Sequence, residues 1–294
     1  MKADRSHPLK VIAYIVVVIT AFCTLTPFIL IVSGSFSTEK ELIRYGVGLL
    51  PRAATTDAYR FLFTNSRSIV TGYRVTVTIT VAGTLASLAL TASLAYVTSV
   101  KTLRLRNAIS FFIYFTMIFN GGLIPYYILI VRYLKIKNTL LALILPMLIS
   151  SFNVMIMRTY FRGLPDSLRE SALMDGASEF RILVRIILPI SLPIMATVSL
   201  FYMLSYWNDW YNALLFVDSK NLVPLQFNMY RILSVITYMS STTEMGRAAS
   251  QYAVLPAESV RMATAVVTIG PIILVYPFLQ KHFVKGIAIG AIKG

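Results

Sequence analysis

RTYFRGLPDSLRESALMDGASEFRILVRIILPISLP, residues 158–193, decides how this chain folds. It is the most charged stretch of a very apolar sequence, and what lies on either side of it reads as membrane-spanning helix. Pro165 suits the first turn of a helix, where its missing N–H costs nothing, and Asp166 complements the positive end of the helix dipole. Ser167 and Glu170 have capping-box spacing, which offers a start two residues later. Either start gives a short helix to about Asp175, ended by Gly176 in the left-handed conformation. A second helix runs from about Ser178 into Leu188-Pro189. Leu168, Ala172 and Ala177 supply small or apolar surface, while Arg169, Glu170, Asp175, Glu179, Arg181 and Arg185 supply mixed charge. A hairpin of this kind fits the cleft of a soluble partner, and it also suits the membrane surface. Physics alone leaves both open.

Outward from this stretch the composition is that of an integral membrane protein. Of 294 residues 57% are hydrophobic and 13% charged, and the mean hydropathy is +0.72. The net charge of +15 comes from basic residues scattered singly between apolar runs. They flank spans and face lipid headgroups or an anionic solute, and nucleic acid is not an expected partner. The single cysteine, Cys23, lies in the first apolar run, and His7 and His282 are far apart, so neither a disulfide nor a metal site is expected. The basic start followed by the charge-free run 11–38 is too long for a signal-peptide core and lacks a clean small-residue cleavage site, so it reads as a retained first span.

Charge-free runs place six helical spans in one transmembrane domain, 1–294, at about 11–34, 75–100, 107–131, 138–157, 186–208 and 262–280. Each reaches or nearly reaches the roughly 20 residues that cross a bilayer core. Nothing alternates with period two, so an all-α membrane fold is favoured over a barrel. A further candidate, 222–239, carries Arg231 near its middle and Pro224 near its start. A central arginine costs about 2.5–3.5 kcal/mol to insert, which places this segment outside the bilayer or along its surface. Even numbers put both termini on one side, with loops 35–74 and 209–261 on the other and 158–185 on the side of the termini. Lys and Arg divide almost evenly between the two sides, so the positive-inside rule does not orient the chain.

Arg52, Arg60, Arg67 and Arg74 recur at seven or eight residues, a spacing that fits one face of an interfacial helix or a solvated loop anchored to headgroups. In the third span, Asn120-Gly121-Gly122 and Pro125 weaken the helix and mark either a gate or close helix packing. Tyr206, Trp207, Asn208 and Asp209 end the fifth span. The aromatic residues fit an interfacial belt, whereas polar groups at membrane depth face a cavity, and aromatic faces beside hydrogen-bonding groups suit sugar rings.

The residues now carry a resemblance. Glu170-Ser171-Ala172, three residues, Gly176, nine residues, then Ile186-Ile187-Leu188-Pro189 resembles the EAA motif of ABC importer permeases, with Ser171 where the family usually has alanine. Trp207-Asn208-Asp209 resembles the W-N-[DE] of its maltose-type, carbohydrate branch, and residues 286–294, GIAIGAIKG, resemble that branch's ending. FNGGLIPYYILI (119–130) and LPAESVRMATAVV (255–267) are similar to the subgroup that imports oligosaccharides from polysaccharide breakdown, alginate among them.

The resemblance implies a type I importer permease fold in the bacterial cytoplasmic (inner) membrane, with both termini and 158–185 cytoplasmic. It implies a second permease, two ATPase subunits, a periplasmic or extracellular solute-binding protein meeting loop 209–261, and an oligosaccharide as substrate, with anionic, alginate-like ones among the candidates. Glu170, Ser171, Ala172, Asp175, Gly176, Ala177, Leu188 and Pro189 are then expected to couple to the ATPase, with Glu170 and Asp175 in polar contact, Ala172 at the closest approach and Gly176 making the turn. Gly290, Lys293 and Gly294 become a second ATPase contact, and Tyr206, Trp207, Asn208, Asp209 and Asn120 candidate path residues. The sequence contains no G-x-x-x-x-G-K-[ST], so ATP and Mg belong to the partner and this chain is expected to bind no cofactor and catalyse nothing. An ion-gradient-driven secondary transporter is the alternative. It calls for ionisable relay residues within spans, which these spans lack.

Overall fold

The computed structural model describes residues 6–64, 66–241 and 258–270, and among them the chain is helical apart from one isolated bridge, Ser37 to Ala54. Backbone contacts group the described residues into two units, those up to 67 with those from 229 to 270, and residues 68–228. The span expected at 262–280 falls partly in helix 258–270, and 271–294 lie outside the described residues.

In the first unit, helix α1 (Ser6–Ser35) is apolar over most of its length and largely exposed, with Ser33 and Ser35 buried at its end. Its threonines stay compatible with lipid because each hydroxyl donates back along the helix: Thr20 to the Val16 carbonyl at 2.8 Å, Thr24 to Thr20 at 2.7 Å and Thr26 to Phe22 at 2.8 Å. Two short helices follow, α2 (Glu39–Tyr45) and α3 (Asp57–Thr64). Glu39 is buried and accepts the N–H groups of Glu258 and Ser259 at 3.0–3.2 Å, capping helix 258–270 from far along the chain. The arginine spacing does not make one helix. Arg52 lies in a loop, Arg60 in α3 (Asp57–Thr64), and Arg67 and Arg74 in the long helix Ser66–Ser99, with Pro51 in the loop before α3.

The second unit is built on α4 (Ser66–Ser99), whose 34 residues extend about 51 Å. Its inward face carries Thr76, Ile79, Thr80, Thr84, Ser87, Thr91, Ala92, Ala95 and Tyr96, all buried. Small residues and hydroxyls let neighbours come close. A Cβ on Gly83 would stand 2.5 Å from the Tyr206 ring, so only glycine admits that tyrosine.

Three further helix pairs are together apolar and long enough to cross a membrane, and each is broken. Helix α5 (Arg106–Ile118) meets α6 (Leu123–Ile128), continued by a π-helical turn to Tyr133, at 113°; Gly122 takes φ +87° and its N–H is held by the Asn120 Oδ1 at 2.9 Å. Helix α7 (Leu140–Ile144), with its 3₁₀ extension to Met147, meets α8 (Ser151–Arg162) at 50°, around Pro146. The run 186–208 is divided at Ser191. The segment Glu179–Ile190, comprising α10 (Glu179–Ile182), a π-helical turn and α11 (Leu188–Ile190), bends by 88° into α12 (Leu192–Trp207), with Pro193 in the new first turn. Among the described residues two helices are long and apolar enough to cross a membrane unbroken, or up to five crossings are possible if each bent pair counts as one.

Breaking a helix in lipid frees backbone groups that no water can satisfy. At the α7–α8 break two tyrosines of α12 take over. Tyr206 donates to the Ile144 carbonyl at 3.1 Å, and the Ser150 N–H donates to the Tyr202 hydroxyl at 3.0 Å. The same hydroxyls meet Ser87 at 3.0 Å and Thr91 at 2.6 Å on α4. One turn separates the two tyrosines on α12 and one turn the two partners on α4, so the rungs are in register.

Candidate functional site

The charged segment folds as helix α9 (Asp166–Met174) followed by the turn into α10. Pro165 is the N-cap, at φ −61° and ψ 127°, so the helix begins at Asp166 and the later capping-box start is not used. Gly176 takes φ +76°, and the N–H groups of Asp175, Gly176 and Ala177 return to the carbonyls of Ser171, Leu173 and Ala172 at 3.1, 3.0 and 2.9 Å. A Cβ at Gly176 would meet open space, so backbone conformation alone favours glycine, by about 1–2 kcal/mol. Ser178 caps α10 by accepting the Arg181 N–H at 3.4 Å.

Side chains tie this hairpin to α4. Arg169 donates through two nitrogens to the Glu179 carboxylate, which also accepts from the Tyr96 hydroxyl. The Arg169 hydrogen bond holds the Glu179 carboxyl below the usual carboxylate range against the opposing effect of burial, and the same bond raises the Arg169 guanidinium. Beyond α4, Lys101 pairs with Asp166 at 2.6 Å, and the Arg158 Nε donates to the Thr98 carbonyl at 3.1 Å.

Against this frame the expected coupling residues divide. Glu170, Ser171, Asp175 and Gly176 are exposed, and beside them stand Met174, 89% exposed, and Phe180, 74% exposed. Ala172 is a correction. It is buried in the chain's own apolar cluster with Tyr96, Phe161 and Ile182, so its small side chain serves close approach within this chain and offers no surface to a partner. Ala177 and Leu188 are partly buried against the same cluster, and Pro189 is exposed just after the π-helical turn Leu183–Ile187. Gly290, Lys293 and Gly294 lie outside the described residues.

The other candidate zone also divides. Tyr206 is fully buried and spends its hydroxyl on Ser87 and Ile144, which corrects its expected place on a solute path. Trp207 is buried as well. Asn208 is exposed, donating to the Leu204 carbonyl at 2.9 Å and accepting from Gln226 at 3.2 Å. Asp209 accepts from the backbone and side chain of Asn212 at 3.2 and 3.0 Å, and Asn212 in turn accepts from the Tyr126 hydroxyl. Burial pushes the Asp209 carboxyl up, while its bonds to Asn212 pull the other way. Asn120 is exposed at the break, occupied in holding Gly122. Asn120, through Gly122, and the Asp209–Asn212 pair, through Tyr126, thus both attach to α6.

Sequence reasoning missed Tyr96, Lys101, Tyr202, Tyr126 and Asn212. Their partners lie 83, 65, 111 and 86 residues away in the chain, and no local pattern joins them. Among the described residues no group of three or more His, Cys, Asp or Glu is placed to hold a metal.

Comparison with known proteins places these features. The model of the family "binding-protein-dependent transport system inner membrane component" matches residues 87–289. Protein LplC of Bacillus subtilis (strain 168) is 40% identical over 92% of this chain and 90% of its own length. The polygalacturonan/rhamnogalacturonan transport system permease protein YtcP of the same organism is 38% identical over 93% of this chain and 94% of its own. A crystal structure of a bacterial ABC transporter involved in the import of the acidic polysaccharide alginate contains a chain that superposes with a TM-score of 0.79 at 30% identity, covering 96% of this chain and 99% of that one.

Proposed function

This chain belongs to the inner membrane components of binding-protein-dependent transport systems, and from that premise we propose how it works and what it carries. It is a non-catalytic permease of a carbohydrate ABC importer, with the type I permease fold, integral to the inner membrane, and hydrolysis belongs to a separate ATPase subunit. The proposal is that the chain has six spans and cytoplasmic termini and assembles with one different permease, two ATPase subunits and a solute-binding protein that docks on 209–261. Its cargo is an oligosaccharide cut from an acidic polysaccharide. Relatives named for polygalacturonan and for alginate support that cargo, as does the excess of basic residues. Nothing favours the ion-driven alternative.

The observation that carries the coupling mechanism is the contrast within the hairpin 165–180. Its tip around Met174 is exposed, as is the neighbouring Phe180, while its base is fixed to α4 through Glu179, Arg169 and Tyr96. A tip seated in an ATPase cleft therefore transmits that subunit's closure to α4 as a nearly rigid lever, alternating the path between inward- and outward-open states. Glu170, Ser171 and Asp175 supply the polar contacts, and the tail residues Gly290, Lys293 and Gly294 a second contact. Asn208, Asp209 and Asn120 border the path.

The test is Gly176→Leu in the reconstituted importer. The variant places a side chain where the hairpin meets its partner and strains the turn, so ATP hydrolysis is expected to continue without proportionate uptake while the subunit still reaches the membrane. Uptake per ATP equal to that of the unmodified importer would overturn the mechanism.

A further inference from the structure

We propose that a cavity bounded by Lys101, Arg106 and Arg162 binds the phosphodiester headgroup of an acidic phospholipid whose acyl chains lie along helix α5. The cavity, about 400 Å³, is open and lined by these three cations, and it falls within the size range, from about 300 Å³, of clefts that hold small ligands. Only Lys101 among them has a carboxylate partner among the described residues, Asp166 of the hairpin, and that pair is largely exposed. Arg158 stands close enough to Arg106 and Arg162 that their charges, added to the larger effect of burial, lower its pKa. Positive charge is therefore in excess here, with Asp166 the one carboxylate paired to it among the described residues.

Helix α5 begins at this cavity. It has no acidic residue in its first turn and no side-chain cap, and although the Arg106 N–H is taken by the Leu103 carbonyl at 3.3 Å, the helix dipole also favours an anion. Arg106 reaches Asn107 Oδ1 at 3.4 Å, and from Asn107 a stripe at four-residue spacing runs down the helix: Phe111, Phe115 and Phe119. Their rings stack at 6.3 and 5.1 Å between centroids, and they are 70%, 45% and 61% exposed. A free phosphate would use the cations and leave the stripe idle. A lipid uses both, with the basic side chains meeting its headgroup at the membrane edge. The inference rests on the membrane location of the chain and not on the coupling mechanism above.

The experiment is native mass spectrometry of the purified importer in neutral detergent, titrated with phosphatidylglycerol and, separately, with phosphatidylcholine. The unmodified complex is expected to retain one more phosphatidylglycerol per copy of this chain than Arg106→Gln/Arg162→Gln, with phosphatidylcholine retention equal; Arg106→Lys/Arg162→Lys should keep that lipid. Should the double glutamine variant fail to accumulate, the exposed Arg162→Gln alone carries the comparison. Equal retention of phosphatidylglycerol by unmodified and neutralised complexes would overturn the proposal. So would displacement of the lipid by millimolar inorganic phosphate at constant ionic strength, which assigns the cavity to a soluble anion. Loss of the ATPase subunit with an unchanged lipid count would make it a protein contact instead.

Discussion

Helix α4 is held to its neighbours by two kinds of chemistry within a few turns. At Ser87 and Thr91 the bonds are neutral, buried, and directed to tyrosines that also satisfy a broken backbone. From Tyr96 onward they involve charge, with Glu179, Arg169 and Asp166 in water-accessible positions. Water substitutes for the second kind and not for the first. The tyrosine seam therefore fixes the packing of the unit, whereas the hairpin is attached by contacts that can be exchanged. A lever that moves α4 needs that division, because the seam keeps α12 packed on α4 while the hairpin is driven.

The largest expected effect comes from forcing the seam apart. Gly83→Leu drives a side chain into the Tyr206 ring, and overpacking of this kind costs about 1–3 kcal/mol or more. The variant is expected to lose most of its folded subunit, read as membrane abundance and thermal stability of the purified complex. Near-normal stability would mean that α4 and α12 do not pack as closely as the seam requires. Tyr206→Phe is the milder version. It keeps the ring but leaves the Ile144 carbonyl and Ser87 without their partner, at about 1–3 kcal/mol. Its stability loss should be independent of pH and salt, which distinguishes the seam from the hairpin.

The two regions were not equally legible in the sequence. The hairpin carries local signals, and Pro165, Gly176 and Ser178 stand at or within one residue of the boundaries their chemistry dictates. Its mounting was not legible, because Tyr96 and Glu179 are joined only through space. Ala172 shows how a motif residue misleads: small size signals close approach but does not say to what. The seam was hidden more thoroughly. Threonines, serines and tyrosines in a hydrophobic run carry no charge and leave no periodicity that hydropathy detects. A charge-free run likewise locates a crossing without revealing the 88° break at Ser191, which follows from proline placement on both sides.

Glu179→Gln tests the charged attachment. The folded-state pKa of Glu179 is depressed, so its contribution is fully present above its unfolded value, about 4.3, and is lost as pH falls through the lower folded value. The unmodified importer should lose this contribution only in acid, while the variant lacks it throughout the neutral range. Its side chain is 47% exposed, so the loss in stability is about 1 kcal/mol or less after solvent screening. The expected change is in coupling, with less uptake per ATP at pH 7 and little change in melting temperature. A variant that melts as early as Tyr206→Phe would erase the distinction between the two regions.

The smallest effect belongs to Asp166→Asn. The pair it breaks with Lys101 is 2.6 Å long, but the side chains are 71% and 65% exposed. Exposed pairs contribute about 0–1 kcal/mol and are screened at ordinary ionic strength, where the Debye length is about 8 Å. Asp166 also opens helix α9, where a negative charge is worth about 0.3–1 kcal/mol against the dipole. Both contributions fade with salt. The difference between the variant and the unmodified importer in uptake per ATP should therefore shrink as ionic strength rises, whereas the defects of Gly83→Leu and Tyr206→Phe should persist. A salt-independent defect in Asp166→Asn would place that carboxylate in a desolvated contact with the ATPase and extend the docking surface from the tip of the hairpin to its start.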